Sequence, residues 1–182
     1  TNSFSYNSDP KIFINELVQD AITTLGNKNI TKAEKNKKIK DIALKNVDIE
    51  GLSLYTLGQA RKNLDQEKLS TYKKLFEKYF LKSLTSRLTD YASQKFEVLD
   101  AEQKSETYTI VSSRIVESSS QPEIKINWRV YTKDPSKPLI RDLMVEGLSL
   151  AKTQKEEFAS ILSSNNNDIN MLFIKLEDFI KD

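Results

Sequence analysis

Residues 141–162 read RDLMVEGLSLAKTQKEEFASIL. Polar and apolar residues alternate up to residue 146, as in a β-strand, whereas from Leu148 onward the apolar residues recur at the spacing of an α-helix. Gly147 stands between the two patterns, in a chain that has only 4 glycines. Because glycine tolerates a sharp turn, we predict that a strand ends here and that a helix begins, over about 148–164.

The composition removes the side chains on which most catalytic and metal sites depend. The 182 residues include no cysteine and no histidine. Disulfides, thiol nucleophiles, zinc–cysteine sites and every Ser-His or Cys-His arrangement are therefore excluded. We expect a protein that is not an enzyme and that binds neither a metal nor a cofactor.

Charge is nearly balanced over the chain, with 28 Lys and Arg against 26 Asp and Glu. This balance provides no general field for nucleic acid, and we expect no nucleic-acid partner. The longest apolar run, residues 171–174, is too short to span a bilayer. One region is strongly basic and predicts either a solvated helix face or a docking or lipid-surface patch. Its lysines are Lys28, Lys32, Lys35, Lys37, Lys38, Lys40 and Lys45.

The first half of the chain has the pattern of helices. Asp9-Pro10 predicts a helix start, with apolar residues at helical spacing up to Gly26. Thr31 begins a second helix, and a third, shorter helix ends near Gly58. The longest helix is predicted over 65–92, and residues 72–80 within it include four aromatic residues. Aromatic side chains suit either a core or the wall of an apolar cavity.

From about residue 95 the apolar pattern has a period of two, which predicts four strands. In the third, Ile126, Trp128 and Val130 point to one side; in the fourth, Arg141, Leu143 and Val145 share a face. Two helices, about 148–164 and 167–181, follow. The order predicts one α+β domain over 1–182: helices in 8–92, a four-stranded curved antiparallel sheet in 95–146, and C-terminal helices in 148–181. Helices on one face of the sheet would enclose an apolar cavity.

The pattern alone leaves three classes of function open. A binding module for an apolar ligand would use the aromatic and aliphatic lining. A small α+β binding domain or enzyme could use the cavity for a small polar ligand, which requires polar groups that converge inside it. A structural interaction domain would have a solid core.

Two segments resemble the MlaC family of periplasmic phospholipid-binding proteins, also called toluene-tolerance proteins or auxiliary components of an ABC transporter. One is the Val-Glu-Gly-x-Ser segment from residue 145 to 149, with the helix after it. The other runs from Val47-Asp48 to the aromatic helix. The matching residues are Val47, Asp48, Leu57, Gly58, Tyr72, Phe76, Phe80, Asp142, Glu146, Gly147, Ser149 and Phe158.

The resemblance implies an MlaC-like, NTF2-reminiscent fold and a soluble, monomeric periplasmic carrier for glycerophospholipid. Such a carrier shuttles lipid between an outer-membrane lipoprotein–porin complex and an inner-membrane MCE-domain ABC transporter complex, in the system that maintains outer-membrane lipid asymmetry. The chain begins at Thr1 without an initiator Met, so we expect that a signal peptide has been removed.

The resemblance also implies a lipid-binding cavity with three sides. Gly147 would be the hinge of a lid. Arg141 departs from the family pattern, in which a bulky and often aromatic residue precedes Asp142. It would either meet a lipid phosphate at the rim, because a guanidinium suits phosphate geometry, or be a surface arginine with no role. The helical wall would contain Leu54, Leu57, Tyr72, Phe76 and Phe80, the sheet wall Ile110, Ile126, Trp128, Val130, Leu143 and Val145, and the far side Leu148, Phe158 and Ile161.

Overall fold

A computed structural model of the chain describes residues 5–91 and 93–182. Helices form its first half and its C-terminal end, and strands lie between them, as the order of sequence patterns predicted. The elements are α1 (Pro10–Gly26), α2 (Lys32–Asn46), α3 (Ile49–Leu57), a 3₁₀ helix (Gly58–Asn63), α4 (Gln66–Leu88), a 3₁₀ turn (Thr89–Tyr91), β1 (Phe96–Gln103), β2 (Tyr108–Ile115), β3 (Ile124–Tyr131), β4 (Leu139–Val145), β5 (Leu148–Ser149), α5 (Leu150–Ser163) and α6 (Ile169–Lys181).

Side-chain caps fix the helix starts where the sequence predicted them. The side chains of Asp9, Thr31 and Asp65 each accept a hydrogen bond from a backbone N–H in the first turn of α1, α2 and α4. These N–H groups have no partner within the helix itself. Helix α4 ends at Leu88, and residue 92, the predicted end, lies outside the described residues.

The sheet has five antiparallel strands in the order β1-β2-β3-β4-β5, rather than the predicted four. Glu146 and Gly147 both have positive φ, 50° and 81°, which is the geometry of a two-residue type I′ hairpin turn. Val145 therefore pairs with Leu148. The predicted helix start at Leu148 is wrong because α5 begins only after this short strand, with Ser149 as its cap.

The two faces of the sheet differ in burial. In β2 the alternate residues Thr109 to Ile115 are buried, and those between them are partly exposed. Helix α1 packs over β1 and β2, and its Phe13 and Ile14 join Val111 in one core. We call the face with Val111 the inner face and the opposite one, with Tyr108, the outer face.

A β-bulge changes the phase of β4. The pairing with β3 shifts by one residue at Arg141, whereas Leu143 pairs directly with Trp128 on the inner face. Arg141 instead donates a hydrogen bond to the hydroxyl of Tyr108, on the outer face. The predicted common face of Arg141, Leu143 and Val145 is therefore wrong for Arg141, because the extra residue rotates it out of the alternation.

Buried apolar residues form two clusters rather than one. The sheet cluster lies between α1 and the inner face, and the helical cluster lies among the other helices. Helix α4 packs on α2, α3 and α6, whereas the sheet is contacted by α1, α3 and α5. Val47 packs against both clusters. We call the boundary between them the seam.

We predict that Gly147→Ala lowers the free energy of unfolding by about 1–2 kcal/mol, because a side chain at positive φ is strained. Urea denaturation measures this loss. Gly26→Ala is the matched control, since an added Cβ meets nothing within 4 Å at either site and only Gly147 has a positive φ. Equal losses in the two variants would contradict the role of the turn.

Candidate functional site

The predicted helical wall is assembled in the helical cluster. Tyr72, Phe76 and Phe158 are almost fully buried, and Phe80 packs against them. The ring centroids of Tyr72 and Phe76 are 5.9 Å apart, and those of Phe76 and Phe80 are 6.1 Å apart. Leu57 and Ile161 belong to the same cluster, and Leu54 on α3 is partly buried. The helices thus present a continuous aromatic and aliphatic surface.

The polar atoms of this wall are paired within the protein. The hydroxyl of Tyr72 lies 2.6 Å from that of Thr56, which also bonds the carbonyl oxygen of Ser53 at 2.9 Å. Burial raises the pKa of Tyr72, so its phenol is neutral across physiological pH. Among the described residues, every buried side-chain nitrogen or oxygen has a hydrogen-bond partner. The wall therefore offers apolar surface rather than acid–base chemistry.

The sheet wall is centred on Trp128. Its indole Nε1 donates to the hydroxyl of Ser113 at 2.8 Å, and that hydroxyl donates to the carbonyl oxygen of Ile126 at 2.6 Å. Val130 is fully buried in the sheet cluster, where Ile126 and Trp128 are partly buried. Leu143 extends the same face onto β4, followed by Val145, and both are partly buried.

Two predicted lining residues lie elsewhere. Ile110 pairs with Arg129 on the outer face, so its placement on the same wall as Trp128 is wrong, because neighbouring residues of a strand point to opposite faces. Leu148 is 59% exposed on β5 rather than on a helix that closes the cavity.

Arg141 is occupied on the outer face. Its Nε donates to the carboxylate of Asp48 at 2.7 Å, and its Nη1 donates to the hydroxyl of Tyr108 at 2.7 Å. The guanidinium carbon also lies 3.8 Å from the ring centroid of Tyr131. These contacts join the sheet to the start of α3, and the phosphate contact at a cavity rim stays a prediction.

Asp48 attaches the helices to the edge of β4. Its backbone N–H donates to the carbonyl oxygen of Ile140 at 2.9 Å, and its carboxylate also accepts the N–H of Gly51 at 3.0 Å. A Cβ at residue 51 would lie 2.4 Å from the Asp48 carboxylate, which explains the glycine. We call residues 47–51 the junction.

Asp142 provides a second attachment on the same strand. Its carboxylate accepts hydrogen bonds from the hydroxyl of Ser149 and, at 3.0 Å, from the N–H of Ala151. Both groups lie at the start of α5, so β4 holds α3 and α5 together.

The MlaC protein family model matches residues 15–178 of the chain. The chain belongs to the MlaC family. Among solved structures, the phospholipid-binding protein from Ralstonia solanacearum, in complex with a phospholipid, superposes with a TM-score of 0.74. The two chains are 16% identical, and the match covers 92% of this chain and 94% of the other. At this identity the likeness establishes the α+β fold. No curated protein matches the chain.

Two open depressions lie on the surface of this MlaC protein. One, of about 530 Å³, is on the outer side of the sheet and is lined by both polar and apolar residues; the other, of about 320 Å³, lies beside the start of α2. The predicted enclosed cavity between α4 and the sheet is not one of these two. The first is lined by Leu99, Ser112, Ser113, Arg114, Glu123, Lys125, Asn127, Met144, Glu146 and Gly147.

Residues 5–91 and 93–182 contain neither a membrane-spanning helix nor a cluster of metal ligands. No helix there is long and apolar enough to cross a membrane. In the same residues no group of three or more acidic side chains is placed to hold a metal ion.

Sequence reasoning missed the junction. The signal was present, because Asp48 stands three residues before Gly51, the spacing at which a capping carboxylate reaches a backbone N–H. Its second partner, Arg141, is 93 positions away, and no local pattern connects the two.

We predict that Asp48 and Arg141 are coupled by about 1–2 kcal/mol, because charged hydrogen bonds at partly buried sites are stronger than those in water. A double-mutant cycle with Asp48→Ala and Arg141→Ala, followed by urea denaturation, isolates the pair, since loss of the cap on α3 cancels in the cycle.

The matched control is the Lys73–Glu50 pair, whose N–O distance is 3.0 Å but whose Glu50 side chain is 72% exposed. Its coupling should be at most about 0.5 kcal/mol, as for other exposed pairs. Equal coupling energies in the two cycles would refute a special role for the junction.

Proposed function

We propose that this protein is a periplasmic carrier that holds a glycerophospholipid by its acyl chains between the aromatic wall of α4 and the inner face of the sheet. The observation that carries the proposal is the seam, where two apolar surfaces belong to separate clusters. Membership of the MlaC family supports it, as does the fold shared with a protein described as binding phospholipid.

Both the helical cluster and the inner face of the sheet carry apolar side chains that the protein covers only partly. On the helices these include Phe80 and Leu84, and on the sheet Trp128, Leu143 and Val145. Acyl chains inserted between them would cover apolar surface that the protein alone covers incompletely. No polar group is required there, and the head group can remain hydrated outside.

Lipid uptake requires the two walls to separate. Helices α3 and α5 are attached to β4 by Asp48 and Asp142, whereas α4 is packed on other helices. We propose that α4, together with the part of α3 that holds Tyr72 through Thr56, pivots away from the inner face about the attachments to β4, which opens the seam to acyl chains and keeps the fold connected.

Direct handover between partner complexes follows from the cost of exposing the cargo. Burial of one CH₂ is worth about 0.8 kcal/mol, so two chains of about sixteen carbons would cost on the order of 25 kcal/mol to transfer into water. We therefore propose docking on the outer-membrane lipoprotein–porin complex and on the inner-membrane MCE-domain ABC transporter complex. The protein would act as a carrier and not as an enzyme, with lipid as cargo and no cofactor.

The alternative, a site for a small polar ligand, requires unpaired polar groups inside the protein. The buried polar side chains of the described residues are paired with one another or with the backbone. The interior thus favours an apolar cargo.

We predict that phospholipid with brominated acyl chains quenches the fluorescence of Trp128 when it is loaded into the protein. Trp128 is the single tryptophan of the chain and lies on the proposed sheet wall, and bromine quenches indole only near contact. Loading with unbrominated phospholipid should leave the emission intensity unquenched, and steady-state fluorescence measures both.

The control moves the reporter to the outer face in the double variant Trp128→Phe/Ile110→Trp. Its emission should be insensitive to bromination if the chains lie in the seam. Quenching of the tryptophan at position 110, with none at position 128, would place the chains on the wrong face and reject the proposed site.

A further inference from the structure

Positive charge is concentrated on α2 and the loop before it. Residues 27–46 contain seven lysines and two acidic residues, Glu34 and Asp41. This is a net charge of +5 in a chain of net +2, so all other residues together carry −3. The net positive charge of the protein therefore resides in this segment.

These lysines are largely free to meet a partner. Six of the seven are exposed. Lys38 pairs with Asp20 at 3.2 Å, and Lys35 donates to the carbonyl oxygen of Leu25 at 2.8 Å. Among residues 5–91 and 93–182, no carboxylate forms an ion pair with the other five lysines, which are Lys28, Lys32, Lys37, Lys40 and Lys45.

The exposed side of α2 also carries an apolar residue. Ile39 and Ala43 face the protein interior, whereas Leu44 is 48% exposed. Lys37, Lys40 and Leu44 are spaced three and four residues apart, which places them on one side of the helix. We call this side, with Lys45 beside it, the basic face.

A groove beside the start of α2 adds a place for an anionic group. It has a volume of about 320 Å³ and is open to solvent. Two lysines are among its lining residues, so an anionic group in the groove would meet positive charge. Its lining residues are Leu25, Lys32, Lys35, Asn36 and Thr89.

The type of cation distinguishes a bilayer from a protein partner. All seven basic residues are lysines, and no arginine lies in this region. Arginine suits directional, bidentate pairing with carboxylates, whereas the strongly hydrated ammonium of lysine acts as a point charge. Dispersed lysines around an exposed leucine suit the diffuse negative potential of a membrane surface. We propose that the basic face docks this protein on bilayers that contain anionic phospholipid.

Docking of this kind goes beyond cargo binding and can be tested separately from it. Vesicle flotation detects protein on the bilayer, whereas the fluorescence of Trp128 detects lipid inside the protein. Either result can fail while the other holds.

The test compares flotation with vesicles of phosphatidylcholine alone and of phosphatidylcholine mixed with phosphatidylglycerol. We expect the intact protein to float only with the mixed vesicles. Binding should disappear as salt rises from about 0.1 M to about 1 M, because the Debye length falls from about 10 Å to about 3 Å.

The triple variant Lys37→Gln/Lys40→Gln/Lys45→Gln should bind the mixed vesicles on the order of 100-fold more weakly, since one lysine near an anionic surface contributes about fivefold. The matched control is Lys68→Gln/Lys74→Gln/Lys78→Gln, which removes the same charge from exposed positions on α4 and should retain binding.

Three results would overturn the proposal: equal flotation with both kinds of vesicle, equal losses in the two triple variants, or no flotation of the intact protein. The last would leave an acidic protein surface as the partner of the basic face. Far-ultraviolet circular dichroism of both variants should show the helix content of the intact protein, since glutamine is a good helix former.

Discussion

The hydrogen bond from the Asp48 N–H to the Ile140 carbonyl oxygen is the constraint on which the rest of the molecule depends. It attaches the helical half to the one edge of the sheet that β5 leaves partly unpaired. The Asp48 carboxylate then binds both Arg141 and the start of α3. One residue thus fixes a strand edge, a helix start and the outward direction of an arginine. Val47, immediately before it, contacts both apolar clusters.

Because the attachments lie along β4, the helical cluster is not required to pack over the whole sheet. Helix α1 covers the inner face at β1 and β2, while α4 packs among helices. The result is two clusters that meet at a seam, although a protein of this length could bury its apolar residues in one solid core. A seam with apolar walls on both sides offers apolar contact to an acyl chain. This property connects the fold to the proposed carriage of lipid.

Local patterns in the sequence predicted the elements well where a nearby residue fixes them. Asp9, Thr31 and Asp65 cap helices as predicted, and the alternation around Trp128 correctly separated the two faces of β3. The match to the MlaC family confirms the resemblance that rested on the Gly147 segment and the aromatic helix.

The errors arose where a single residue changes the phase. The bulge at Arg141 rotates its side chain to the outer face, and the hairpin turn at Glu146 and Gly147 converts two expected helical residues into a fifth strand. Neither the bulge nor the turn changes which residue types its segment contains. The apolar periodicity of the sequence therefore gives no sign of either feature. Likewise, the contact between Asp48 and Arg141 joins residues 93 positions apart. Which residues face the proposed lipid site therefore depended on register, which only the three-dimensional structure supplies.

Carriage of phospholipid by this chain is tested most directly by native mass spectrometry of protein isolated from cells without detergent, with tandem mass spectrometry of the species released from it. We expect a complex heavier than the chain by the mass of one phospholipid, and we expect glycerophospholipid to be released from it. Recovery of ligand-free protein alone, with no phospholipid in an organic extract of the same sample, would contradict it.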